Sequence, residues 1–67
     1  MSYVIHKQLI PKNNLIWVLK LNESDFIYSY ETIEEAEIKL NELINLDTES
    51  REYKISIKND DGSFSDL

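Results

Sequence analysis

One stretch constrains the fold more than any other: "TIEEAEIKLNELIN", residues 32–45. It opens on Thr32 and Glu35, the T-x-x-E pattern of a capping box, in which hydroxyl and carboxylate each take an amide left free at a helix start. At about 100° per residue, Ile33, Ala36, Leu40, Leu43 and Ile44 then fall on one stripe roughly 100° wide. This predicts an amphipathic helix over 33–45. A helix with one apolar stripe has to lie on an apolar surface, and the rest of the chain has to supply it.

The rest reads as β. Residues 2–10, "SYVIHKQLI", are rich in β-branched and aromatic types and predict a first strand. "PKNN" at 11–14 is turn chemistry, with Asn13 and Asn14 suited to left-handed backbone. Residues 15–21, "LIWVLKL", are apolar on both faces and predict a central strand, with Trp17 in the core under the helix. "NESD" at 22–25 is a second turn and 26–30 a third strand, so the three form an antiparallel meander. After the helix, "EYKISIK" at 52–58 alternates strictly. Tyr53, Ile55 and Ile57 face one way, and Lys54 and Lys58 guard what reads as an edge. "DDGS" turns the chain, and 63–67 either adds a short fifth strand or frays. The expectation is one α+β domain spanning 1–67. Its order is β-β-β-α-β, with an antiparallel-dominated sheet and one helix packed on one face.

A chain of 67 residues rarely draws more than roughly 3–5 kcal/mol from its core, and this one has no cysteine to add a disulfide. The start shows no secretory pattern, and no apolar run approaches the ~20 residues that span a bilayer. A cytoplasmic protein is expected, with no membrane partner.

Charge is the second informative pattern. Residues 31–52 hold eight acids against Lys39 and Arg51, and the other forty-five residues carry five acids and five bases. The whole net charge of −6 therefore belongs to the helix and the loop after it. On the wheel, Glu34, Glu35, Ile38 and Glu42 lie away from the apolar stripe, with Ile38 about 140° from Ile33. An apolar residue ringed by acids is the pattern of a small docking centre with a charged rim. A solvated outer face is the plainer reading.

Other chemistries find little support. There is one histidine and no cysteine, so no nucleophile–base pair stands out. His6 reads as a surface or packed strand residue. Asp60 and Asp61 before Gly62 lack the spaced ligands of a calcium loop and read as a plain turn. Gly62 is the one glycine, too little for a phosphate cradle. No catalytic residue, cofactor or metal is expected. The acidic balance argues against direct nucleic-acid binding, which depends chiefly on phosphate contacts. Three strands followed by a helix opening on "TIEEAE" loosely resemble the small DNA-binding domains of phage integrases. Those have a basic sheet and no strand after the helix, so the resemblance implies no DNA-binding role here.

The expected function is thus a non-enzymatic binding module, an inhibitor or regulator docking on a basic protein partner. The expected docking residues are Glu34, Glu35, Ile38, Glu42, Asp47, Glu49 and Glu52. Small size, acidity and the lysine-, isoleucine- and asparagine-rich bias of AT-rich genes fit phage or mobile-element proteins, including DNA-mimicking anti-restriction and anti-CRISPR types. The rival class is a self-associating structural subunit, a homodimer paired through the free edge of the fourth strand or an aromatic sheet face.

Overall fold

The first strand organises the molecule. The computed structural model describes Met1–Leu67, with elements β1 (Ser2–Gln8), β2 (Trp17–Leu19), β3 (Ser29–Tyr30), α1 (Ile33–Leu46), β4 (Tyr53–Lys58) and β5 (Phe64–Asp66). β1 pairs antiparallel with β4 along one side, from Ser2↔Lys58 to Lys7↔Tyr53. Its other side is shared: β2 pairs with residues 6–8 and β3 with Tyr3 and Val4. β5 completes the order β2-β1-β4-β5. The result is a curled antiparallel sheet of five strands with one helix, an α+β domain.

Period-two alternation sorts the sheet faces. Tyr3, Ile5 and Lys7 lie opposite Ile57, Ile55 and Tyr53. This is the face beneath α1, since Lys7 and Tyr53 share a cleft with Leu43 and Leu46 of the helix. Ile5, fully buried, and Ile55 form the sheet side of the core, with Ala36 and Leu43 above. Burying an isoleucine side chain contributes roughly 1.5–3 kcal/mol, so a few residues carry most of the stability.

The helix begins where the capping box places it. Thr32 Oγ1 accepts from the Glu35 amide at 3.3 Å and donates to Glu35 Oε1 at 2.9 Å. The reciprocal bond of the full motif, carboxylate to the Thr32 amide, is replaced by this hydroxyl–carboxylate bond. The helix is rolled slightly toward Lys39. Ala36 and Leu43 are buried, Ile33, Lys39 and Leu40 half-buried, and Ile44 is 45% exposed. The Lys39 stem packs inward and its Nζ lies 5.5 Å from the Tyr28 ring centre.

Several expectations are corrected. The apolar run 15–21 yields only the three residues Trp17–Leu19, and they form an edge, not the centre. Leu15 is 90% exposed, and Leu9, Ile10 and Ile16 are exposed with it at the hairpin tip. The meander is incomplete: β3 pairs with β1, and a single bridge, Leu21↔Ile27, joins the second and third segments. Trp17 stands opposite Gln8, on the face away from α1, under Lys54 Nζ at 4.7 Å. β4 is not the edge strand, because β5 forms and pairs with its Ser56–Lys58 half. At the first turn Lys12, not an asparagine, takes the left-handed conformation, with φ 64°.

Candidate functional site

Four of the seven expected docking residues stand on α1 and three follow it. Glu34, Ile38 and Glu42 are exposed at four-residue spacing, which sets them about 6 Å apart along the helix axis. Exposed Asn41 and Asn45 flank them. Ile38 is 69% exposed, an isolated aliphatic side chain amid polar ones. Glu35 sits at the edge of this arc and is engaged with Thr32. Glu42 accepts from Lys39 Nζ at 3.1 Å, and that bond raises the Lys39 pKa. Glu34 makes no ion pair or side-chain hydrogen bond.

Asp47, Glu49 and Glu52 are elsewhere in space and in different employment. The Asp47 carboxylate accepts from the amides of Glu49 at 2.9 Å and Arg51 at 2.8 Å, closing the loop into a tight turn. Those bonds, the Glu49 amide foremost, hold the Asp47 pKa below the usual carboxylate range. The Asp47 amide reaches back to the Ile44 carbonyl and ends the helix. Glu49 pairs with Arg51 Nη1 at 2.9 Å. Glu52 is fixed through its backbone: its amide donates to Gln8 Oε1 at 2.9 Å, and its carbonyl accepts from the Gln8 amide.

Gln8 is the residue that sequence reasoning missed. Its side chain is fully buried. Oε1 takes the amides of Lys12 and Glu52, and Nε2 donates to Asn14 Oδ1 at 2.6 Å. One glutamine thus fastens the first hairpin to the loop after the helix. Its signal was a polar residue two positions from His6 and four from Val4, in a strand whose other face carries Tyr3 and Ile5.

Lys7 was also overlooked as part of a site. Counting by two from Tyr3 and Ile5 places it on the helix side, where it meets Lys20 and Arg51 at the C-terminal end of α1. On the opposite face, His6 packs edge-on against Phe64, ring centres 5.3 Å apart, and its pKa is lowered by burial and by Lys54. Lys54 also approaches Asp66 at 3.6 Å. No three Asp, Glu or His side chains converge as metal ligands would. No helix is long and apolar enough to cross a membrane.

No protein-family model, no curated protein and no solved structure matches this chain.

Proposed function

We propose that this is a non-enzymatic binding protein of the cytoplasm that docks the outer face of α1 on a basic site of a larger protein. The observation that carries the reading is the arc Glu34–Ile38–Glu42. It presents an exposed aliphatic centre with carboxylates one turn above and below it. One base touches the arc: Lys39, lying near Tyr28, pairs with Glu42 at 3.1 Å, while Glu34 has no ion-pair partner. A small apolar contact supplies affinity, and a rim that stays net negative despite Lys39 speeds encounter and selects a positive partner. The mechanism is occupancy: the helix fills a basic groove, of the kind nucleic-acid-binding proteins carry, and blocks it.

The test is affinity capture at low and high salt, using wild type and a Glu34→Lys, Ile38→Asp, Glu42→Lys variant shown by circular dichroism to be folded. A basic protein that binds wild type, is released by salt and loses at least tenfold in affinity for the variant supports the reading. Capture that survives the triple substitution sinks it.

A further inference from the structure

A second region of interest lies away from the docking arc. It is a cleft of about 500 Å³ between the C-terminal end of α1, the loop after it and the sheet edge. Three cations from three separate segments line it: Lys7 of β1, Lys20 just past β2, and Arg51 of the loop.

Three acids line the same cleft, and only one of them is paired with a base. Asp47 is occupied by two backbone amides and Glu49 by Arg51. Glu23 is an exposed residue of the rim. Lys7 and Lys20 have no salt-bridge partner, and Arg51 Nε is shut off from solvent with no acceptor. Burial lowers the Lys7 pKa, and Lys20 and Arg51 push it the same way. Glu49 and Asp47 oppose the shift and are outweighed. An anion seated beside Lys7 and Lys20 relieves this repulsion and gives the two ammonium groups a partner. A tetrahedral dianion uses three cations lining one cleft, including an arginine fork, better than a single carboxylate does.

We propose that this cleft is a binding site for a phosphate group, held by Lys7, Lys20 and Arg51. The group is either free phosphate or the head of a phosphomonoester whose body rests on Tyr28, Tyr53 and Leu46, which line the same cleft. On binding, Arg51 turns part of its fork from Glu49 to the ligand.

Inorganic phosphate and phenyl phosphate, titrated at constant ionic strength, test the site by thermal unfolding and by amide shifts in NMR. At ten times its Kd, the bound probe raises Tm by about 6–11 °C. The shifts centre on Lys7, Lys20 and Arg51. Tighter binding of phenyl phosphate identifies a phosphomonoester site, and equal binding a free-phosphate site. Lys7→Gln with Lys20→Gln lowers affinity at least tenfold while folding no worse than wild type, since it removes the repulsion. Lys12→Gln with Lys58→Gln, outside the cleft, leaves affinity unchanged. The proposal is overturned if neither probe binds, or if the Lys7, Lys20 variant binds as well as wild type.

Discussion

The outer face of α1 and the loop that follows it share one run of acidic sequence and use their charge in opposite ways. On the helix, Glu34 stands unpaired beside an exposed Ile38. In the loop, Asp47 and Glu49 are bonded to backbone amides and to Arg51 within six residues of the helix end. Asp47 and Glu49 build structure in the loop, whereas Glu34 on the helix faces outward without a partner. Charge counted along a chain is therefore not charge available to a partner. What separates the two is whether donors lie within reach: a helix interior has spent its amides on itself, whereas a turn leaves them free to cap.

The comparison can be broken at three points. The largest effect is expected at Gln8, which ties the loop to the first hairpin. Gln8→Ala strands two amides and opens a cavity, and costs about 2–4 kcal/mol in urea unfolding. In a domain with roughly 3–5 kcal/mol to lose, that approaches complete unfolding. A loss below about 1 kcal/mol would mean the loop is held by other contacts.

Asp47 comes next. Its folded pKa lies below its unfolded value, so its contribution is present above about pH 4 and is lost as pH falls through the folded value. Asp47→Asn is expected to lower the urea midpoint at neutral pH and to flatten its decline on acidification. Wild-type and variant midpoints that fall in parallel below about pH 4 would remove Asp47 from the loop's support.

The smallest effect on folding belongs to the helix face. Ile38→Gln is expected to change stability by no more than about 0.5 kcal/mol, because the side chain touches little and glutamine is at least as good a helix former. Thermal melts check this. A larger loss would show that Ile38 supports the fold and is not free for docking.

The sequence made some of this plain and hid the rest for physical reasons. The helix was legible because its signals are local: Thr32 and Glu35 lie one turn apart, and the stripe repeats within the segment. β4 was legible by alternation, but its place in the sheet was not. Whether "FSDL" returns to cover it depends on the turn at Asn59–Ser63, where Gly62 takes φ 91° and Asp61 caps Ser63. The apolar run 15–21 misled because strong hydrophobicity suggests a centre. β1 instead takes that place by offering both of its edges. Trp17 followed the same error to the wrong face. For the candidate site, Glu34, Ile38 and Glu42 were readable from the wheel. The divergence of Asp47, Glu49 and Glu52 was not, since it depends on where the chain goes after Leu46. The cationic cleft joins residues 7, 20 and 51, and only tertiary contacts bring those together.

The central claim is that the usable negative field of this protein lies on the outer face of α1 and not in the loop. Titrating isotopically labelled protein with oligolysine at low salt locates that field directly by amide shifts. The account predicts salt-sensitive shifts concentrated on residues 34–45, strongest around Glu34, Ile38 and Glu42. Shifts centred on Asp47–Glu52, or spread evenly over the surface, would contradict it.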